Sequence, residues 1–215
     1  MCLYSIKEDN MSTVKVKWLG HACFEIEYDE YKLVLDPFDD VDGYEPVKTR
    51  AHEVFCSHQH HDHNYVDGVK LLRKRKSPFE VTLIPSYHDD ACGNKRGSNN
   101  ITVIKVDGLK LVHFGDLGCE LDADTLEAVS HADCIMIPTG GTYTLDSKQA
   151  SALCDKIEPK VIIPMHYKTA DYGYEVLESI MDFTALRTNV VFVNNNTISI
   201  TGDEDPFTAV LNYKK

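Results

Sequence analysis

Residues 57–63, Ser-His-Gln-His-His-Asp-His, place four histidines and one aspartate within seven positions. Within them, positions 58, 60, 62 and 63 form the pattern His-x-His-x-Asp-His. On an extended segment, side chains two residues apart point the same way, and a turn after them lets Asp62 and His63 face the same cavity. Imidazole and carboxylate groups bind divalent metal ions, so the spacing predicts a metal site able to serve two ions. The alternative is a solvated polar loop whose histidines bind nothing.

Three further residues of ligand type follow predicted strands. They are His88 after the run VTLIPSY, Asp116 in HFGD after KLVHF, and His166 in PMHY after KVIIP. A single histidine at a strand end is usually structural, and Gly-Asp is a common turn. Together with the histidine segment, however, the three residues add the ligands that a second ion needs.

Short strands that pair locally are predicted for the first half of the chain. The acidic turn at Asp29 and Glu30 joins two of them into a hairpin, and Asp107-Gly108 is a dipeptide typical of a tight primed turn. Val66, Val69 and Leu72 stand at near-helical spacing and predict a helix over residues 65–76. We expect a long polar loop over residues 85–100. The predicted strands are VKVKWL, CFEIEY, KLVLD, EVFCS, FEVTLI, ITVIKV and LKLVHF.

The second half alternates helices and strands. From Leu121 the predicted order is a helix, the strand CIMI, a helix with Asp146 as its N-cap, the strand KVIIP, a helix over residues 174–185, and the strands VVFV, TISI and FTAVL. Antiparallel pairs followed by alternating helices and strands predict an α/β sandwich of two mixed sheets with helices outside them.

Seven segments of the chain resemble the metallo-β-lactamase superfamily, within it the small lactonase-like and phospholipase-like hydrolases. They are GHACF (20–24), LDPF (35–38), SHQHHDH (57–63), SYHDD (86–90), HFGDLG (113–118), PTGGTYT (138–144) and PMHYKT (164–169). The resemblance covers nearly the whole chain from Val14 onward. It implies a four-layer αββα sandwich, two mixed β-sheets flanked by helices. The chain is too short for the inserted domain of the nuclease branches, which counts against an RNA-processing nuclease.

The resemblance also implies a division of the ligands between two ions. One ion would be held by His58, His60 and His88, the other by Asp62, His63 and His166, with Asp116 bridging both. A hydroxide between the two ions would attack an ester, lactone or phosphodiester bond. Zinc is the expected metal, and manganese and iron are the alternatives. The di-iron redox members carry Glu at the position of His60, so His60 favours hydrolysis over oxygen chemistry.

Catalytic roles are expected for Asp62, Asp116 and His21. The resemblance places His21 and Asp36 beside the metals, where they would orient ligand imidazoles or contact the substrate; a buried hydrogen-bonded histidine and a strand-end aspartate are the alternatives. An anionic substrate group would be bound by residues near the site, namely Lys95, Arg96, Thr142, Tyr143 and Lys168. For Lys95 and Arg96 the alternative is a solvated loop. The basic run at residues 73–76 is expected to be a solvated surface.

Composition limits the remaining classes of function. The chain has 215 residues, 43% of them hydrophobic, and a net charge of -12. Residues 13–215 are expected to form one domain, preceded by a frayed extension at residues 1–12. The acidic balance disfavours nucleic acid and anionic membranes as partners, and no apolar run reaches the roughly 18 residues that span a membrane. Seven scattered cysteines and an acidic N-terminal segment favour the cytoplasm.

The sequence therefore predicts a dinuclear metal-dependent hydrolase acting on an anionic small molecule. Two alternatives remain: a metal-binding or sensing protein that keeps the site with little catalysis, and a di-iron redox protein. The pattern identifies neither the substrate nor the oligomeric state.

Overall fold

A computed structural model describes residues 13–213 of the chain. The predicted frayed extension at residues 1–12 lies outside the described residues. The strands are β1 Val14–Gly20, β2 Cys23–Tyr28, β3 Tyr31–Leu35, β4 Thr49–Ala51, β5 Glu53–Phe55, β6 Val69–Leu71, β7 Glu80–Tyr87, β8 Ser98–Val106, β9 Leu109–His113, β10 Cys134–Pro138, β11 Val161–Met165, β12 Val190–Val193, β13 Thr197–Ile200 and β14 Phe207–Leu211. The α-helices are α1 Ala123–Val129, α2 Ser147–Ile157 and α3 Ile180–Thr184, and Val66–Gly68 forms a 3₁₀ turn.

The strands form two large mixed sheets and one small one. A five-stranded sheet has the order β13-β1-β2-β3-β5, and a seven-stranded sheet has the order β12-β14-β11-β10-β9-β8-β7. Strands β4 and β6 form a separate parallel pair. Both large sheets combine antiparallel hairpins with parallel neighbours. The predicted architecture of two mixed sheets with helices is confirmed.

Alternate residues of the central strands point into two separate apolar layers. The layer between the sheets contains Trp18, Phe24 and Leu33 of the first sheet together with Leu111, Met136 and Ile163 of the second. The layer on the opposite face of the seven-stranded sheet contains Val112, Ile135 and Ile162, which pack with Val129 of α1, Leu153 of α2 and Phe183 of α3. Hydrophobic burial on both faces therefore fixes the seven-stranded sheet.

Charged side chains occupy the outer face of the five-stranded sheet. Lys32 forms ion pairs with Glu25 at 2.7 Å and Glu27 at 3.3 Å, and Lys15 lies 3.8 Å from Glu27. These residues alternate along β1, β2 and β3 with the inward apolar residues, as expected for a sheet with one solvated face.

The predicted turns and caps follow from local chemistry. Asp29 and Glu30 join β2 to β3, and Asp107 and Gly108 join β8 to β9, with all four residues at positive φ. Positive φ at both central residues is the conformation of a primed hairpin turn, so both hairpins are confirmed. Asp146 caps α2 as predicted and forms a capping box with Gln149.

The predicted helix over residues 65–76 is wrong. Only the 3₁₀ turn Val66–Gly68 forms there, after which β6 pairs with β4. Val69 is buried in the core, whereas Val66 and Leu71 are 50% and 65% exposed. Pairing of β6 with β4 satisfies the backbone instead.

Two other elements differ in length from the prediction. The helix expected over residues 174–185 is limited to α3, because Ser179 caps its start and the Glu178 main chain bonds to Lys168 and Gly140. The polar loop expected over residues 85–100 spans only residues 88–97, since β7 and β8 pair up to Tyr87 and Ser98. No helix in the described part of the chain is long and apolar enough to cross a membrane.

Candidate metal centre

All the residues predicted as metal ligands lie at strand ends that meet at one edge of the two sheets. The histidine segment follows β5, His88 follows β7, Asp116 follows β9 and His166 follows β11. His21 lies in the turn between β1 and β2. Residues at the ends of neighbouring strands share one sheet edge, so the topology brings together side chains more than 100 positions apart in sequence.

The first group of side chains contains His58, His60 and His88. One ring nitrogen from each lies within 4.8 Å of the others. The ring centroids are 4.5 Å apart for His58 and His60, 4.7 Å for His58 and His88, and 5.0 Å for His60 and His88. Burial, with the neighbouring His63, lowers the pKa of His58 to about 3. His58 is therefore neutral at pH 7 and able to bind a metal ion through a ring nitrogen.

The second group contains Asp62, His63 and His166, and the same distance criterion adds His21. The ring of His21 lies 4.4 Å from that of His166 and 5.4 Å from that of His63. Burial and the adjacent His166 lower the pKa of His21 to about 4. Burial alone would raise the pKa of Asp62, but His21 and His63 lower it, so this carboxylate is ionised.

Asp116 lies between the two groups. Its Oδ2 atom is 3.1 Å from Nε2 of His88 in the first group, and 3.1 Å and 3.2 Å from Nε2 of His63 and His166 in the second. Burial would raise the pKa of Asp116, but the surrounding histidines, His166 and His63 foremost, hold it well below the usual value. An ionised carboxylate oxygen thus contacts both groups of histidines.

Unpartnered buried atoms show that the cluster fits divalent ions. Within residues 13–213, Nε2 of His58, Nε2 of His63 and Oδ1 of Asp116 are buried without a hydrogen-bond partner. His63 Nε2 makes no hydrogen bond even though it lies 3.1 Å from Asp116 Oδ2. A buried polar atom without a partner costs about 1–3 kcal/mol, and coordination to an ion would remove that cost. Nitrogen and oxygen donors without thiolate suit zinc, manganese or iron.

Asp36 orients ligand imidazoles from behind. Its carboxylate accepts hydrogen bonds from the Ser57 main chain and hydroxyl at 2.6 Å each, and from His63 Nδ1 at 2.9 Å. The Ser57 hydroxyl also lies 2.9 Å from His58 Nδ1. Burial would raise the pKa of Asp36, but the hydrogen bond from His63 and the neighbouring charges lower it. Asp36 is therefore connected to both groups of candidate ligands. It contacts His63 of the second group directly, and it reaches His58 of the first group through the Ser57 hydroxyl.

Tyr143 joins the first metal group to a nearby cation. Its carbonyl accepts a hydrogen bond from His88 Nδ1 at 3.0 Å, which leaves His88 Nε2 free to face Asp116. The guanidinium of Arg96 lies 4.1 Å from the Tyr143 ring centroid. Burial and the charges of His88 and Arg96 lower the pKa of His60, so Arg96 is within electrostatic reach of this group.

The other residues predicted to bind substrate make different contacts. Lys95 pairs with Asp90 at 2.6 Å, Thr142 donates to the Val176 carbonyl at 2.7 Å, and Lys168 donates to the Glu175 carbonyl at 2.6 Å. Thr142 and Lys168 thus hold the segment before α3. In the basic run, the Arg75 guanidinium lies 5.3 Å from the Tyr31 ring centroid and Arg75 donates to the Asp29 carbonyl, away from the cluster.

No role was predicted from the sequence for Ser57 and Tyr174, which lie near the cluster, and His113 was interpreted as structural or incidental. Ser57 was quoted only as the start of the motif, although it links Asp36 to His58. His113 is fully buried, and its ring nitrogens bond to the Ala22 carbonyl and the Gly115 main chain. Tyr174 lies with its ring 5.6 Å from that of His21. The position of Ser57 beside His58 was a usable signal, whereas no local pattern marks Tyr174.

Comparison with known proteins identifies the family. The sequence model described as the beta-lactamase superfamily domain matches residues 15–166, which include every candidate ligand. The chain belongs to the metallo-β-lactamase superfamily. The expected ligand types of this superfamily are all present, and the structure brings them together.

Relatives and solved structures share this superfamily fold along most of their lengths. A metal-dependent hydrolase of Alkaliphilus metalliredigens is 30% identical over 73% of this chain and 86% of the relative. One of Archaeoglobus fulgidus is 27% identical over 73% and 84%. A Thermotoga maritima structure described as a Zn-dependent hydrolase of the metallo-β-lactamase superfamily is 31% identical, covers 94% of this chain and all of its own, and has a TM-score of 0.75.

Proposed function

We propose that the protein is a dinuclear metal-dependent hydrolase that cleaves an ester, lactone or phosphodiester bond in an anionic small molecule. One observation carries the proposal: a single oxygen of Asp116 lies within 3.2 Å of histidines from both groups. A carboxylate placed between two sets of imidazoles is suited to bridge two ions. The names of the relatives support hydrolysis and dependence on a metal.

Bound divalent ions would lower the pKa of water from 15.7 to about 7 and polarise the substrate oxygen that is attacked. The chain supplies the groups that position these ions and handle protons. Asp36 and the Tyr143 carbonyl fix the rings of His63 and His88 so that each directs Nε2 toward Asp116. The Asp62 side chain is 13% exposed and that of Asp116 only 2%. We therefore assign Asp62 the passage of protons between the site and solvent.

Arg96 and Tyr143 are the parts of the proposed site that select an anionic substrate. Stacking on the ring holds the guanidinium in place while its N–H donors remain available to a carboxylate or phosphate. No carboxylate lies within ion-pair distance of Arg96 among the described residues. A free, preorganised cation beside the first metal group fits a substrate with a negative group close to the bond that is cleaved.

The proposal is tested by turnover of matched ester, lactone and phosphodiester substrates, each in an anionic and a neutral form, by zinc- or manganese-loaded protein. We expect chelator-sensitive turnover that is fastest with an anionic substrate. Arg96→Gln should raise KM for the anionic form at least 10-fold and leave KM for the neutral form unchanged. Lys95→Gln is the matched control, because Lys95 pairs with Asp90 instead of Tyr143.

Other results would identify the alternatives. Tight metal binding without turnover of any substrate class would indicate a metal-binding or sensing protein. Iron binding with oxygen consumption would indicate redox chemistry. The cytoplasm remains part of the proposal, on the strength of the cysteine pattern in the sequence.

A further inference from the structure

We propose that His21 is a fourth side-chain ligand of the ion at Asp62, His63 and His166. The inference rests on the proposed dinuclear centre and goes beyond it, since the ligands implied by the family resemblance do not include His21. The second group would then contain three histidines and one aspartate before Asp116 is added.

The His21 imidazole is buried, and its ring nitrogens have no hydrogen-bond partner among residues 13–213. A satisfied core histidine looks different: His113 is also fully buried, and both of its ring nitrogens bond to the main chain. Buried imidazole nitrogens without partners are costly, and an ion shared with the neighbouring ligands would satisfy one of them.

His21 also lies close to a carboxylate of the second group. Nε2 of His21 lies 3.5 Å from Asp62 Oδ2, which is longer than a normal hydrogen bond. Two donors bound to one ion at about 2.0–2.2 Å in tetrahedral directions are separated by a little over 3 Å. The same nitrogen therefore lies near the position that a shared ion requires.

The main chain fixes the direction of the His21 ring. His21 has φ 50° and follows Gly20 at φ 113°, beside a break in the register of β1 and β2. A non-glycine residue with positive φ is uncommon and often lies at a functional site. The His21 carbonyl accepts from Trp18 Nε1 at 2.9 Å and from the His166 main chain at 3.4 Å. These contacts hold the ring against the second metal group.

Aromatic rings close the other side of His21. The ring centroids of Phe38, Tyr44 and Tyr174 lie 6.2, 6.3 and 5.6 Å from that of His21. The His21 side chain has no exposed surface, and the rings of His63 and His166 lie on its other side. A general acid or base needs access to the substrate or to solvent, and this environment suits a ligand better.

The two ions would consequently differ in their chemistry. The ion of the second group would have four side-chain ligands besides Asp116, and the ion of the first group three. A catalytic metal keeps an open position, so the substrate oxygen would bind at the ion of His58, His60 and His88. Arg96 lies on that side of the centre, because its guanidinium stacks on the ring of Tyr143, whose carbonyl accepts from His88 Nδ1. The substrate and the Arg96 guanidinium would therefore lie beside the same metal ion.

Cobalt titration tests the inference. The apo protein is titrated with Co²⁺ while the visible absorption is recorded and the two dissociation constants are measured by competition with a chelator. His21→Phe keeps a ring without nitrogen, and His21→Gln keeps a hydrogen-bond donor that can reach Asp62. We expect both variants to bind the second ion at least 10-fold more weakly with an altered spectrum, and to keep the first ion.

His61→Gln is the matched control, because the His61 side chain is 69% exposed in the same segment and belongs to neither group. An unchanged second constant and spectrum in both His21 variants would overturn the inference. An unchanged second constant in His21→Gln but not in His21→Phe would also overturn it, because it would show that position 21 acts through a hydrogen bond to Asp62. Circular dichroism of the apo variants identifies a folding defect, and His21→Gln then serves as the milder variant. Binding of fewer than two ions by the unsubstituted protein would contradict the proposed centre itself.

Discussion

Asp36 is placed to orient histidine rings in both groups of candidate ligands. Its Oδ2 atom accepts from His63 Nδ1 and from the Ser57 hydroxyl, which also lies 2.9 Å from His58 Nδ1, and the side chain is 1% exposed. Partners of this kind fix the tautomer of a ligand imidazole and make its other nitrogen the one that faces the metal. In the proposed centre, one carboxylate outside the ligand set would therefore affect both ions.

We predict that Asp36→Asn weakens the binding of both ions by about 10–100-fold, the range typical for loss of such a partner. Chelator competition measures both dissociation constants. Asp39→Asn is the matched control, since Asp39 is an exposed acid three residues away. Equal constants in Asp36→Asn and the unsubstituted protein would show that Asp36 does not orient the ligands.

A second prediction at the residue scale concerns pH. Burial opposes protonation of His63, but the carboxylates of Asp116 and Asp36 outweigh it and raise the pKa of His63 well above 6.5. Because a proton on His63 excludes an ion, metal affinity should begin to fall already above pH 6.5 as the pH decreases. Competition titrations from about pH 8.5 to 5.5 check the direction. Affinity that is constant down to pH 6 would contradict this reading of His63.

At the scale of elements, short loops between strands and helices position the ligands, and the second helix anchors one of those loops. The loop at residues 139–146 carries Tyr143 and leads into α2. The Asp146 side chain accepts from the Gln149 main-chain N–H at 2.8 Å, and the Gln149 side-chain oxygen accepts from the Asp146 main-chain N–H at 3.0 Å. The cap therefore fixes both the start of α2 and the end of the loop.

We predict that Asp146→Ala lowers the free energy of unfolding by about 1 kcal/mol, the usual cost of losing an N-cap side chain. Urea unfolding of the metal-free protein measures it. Asp124→Ala is the comparison, because Asp124 lies within α1 and is not its cap. A loss no larger for Asp146→Ala than for Asp124→Ala would show that the capping box does not stabilise the fold.

The sequence predicted the elements that depend on neighbouring residues. The Asp107-Gly108 turn and the Asp146 cap are determined locally, and the ligands stand at strand ends that a strand pattern reveals. The helix over residues 65–76 was predicted wrongly, because the spacing of three apolar residues also fits a turn followed by a strand. Residues 69–71 pair with β4, whose residues stand 20 positions earlier in the chain, and this long-range pairing favours the strand over the helix.

The hydrogen bonds that hold the candidate ligands in place could not be predicted in the same way. Asp36 and Ser57 are 21 positions apart, and their contact exists only because β3 and β5 are parallel neighbours. The group that orients His88 is a main-chain carbonyl, that of Tyr143, and side-chain patterns carry no information on it. Distances between side chains from distant strands follow from the packed sheets, which a sequence pattern does not contain.

At the scale of the whole molecule, the centre joins the two sheets. His21 comes from the five-stranded sheet, whereas His88, Asp116 and His166 follow strands of the seven-stranded sheet. Ions bound there would therefore link the sheets at one edge. Binding to the folded state alone stabilises a protein, by about 2.7 kcal/mol for an ion at a free concentration of 100 Kd.

We therefore predict that removal of metal lowers the melting temperature and that zinc or manganese restores it. Thermal unfolding followed by circular dichroism, with and without chelator, measures the difference. His58→Ala should reduce the effect of added metal, because it removes a ligand of the first ion, and His61→Gln should retain the full effect. Equal melting temperatures for loaded and metal-free protein would show that ions do not link the sheets.

The central claim is a centre of two ions bridged by Asp116, and the metal content of the purified protein tests it most directly. Elemental analysis, with a chelator-treated sample reloaded in parallel, gives the number of ions per chain and the element. The account predicts about two divalent ions per chain, reduced to one or none in Asp116→Ala. Fewer than one ion per chain after reloading, or two ions retained by Asp116→Ala, would contradict it.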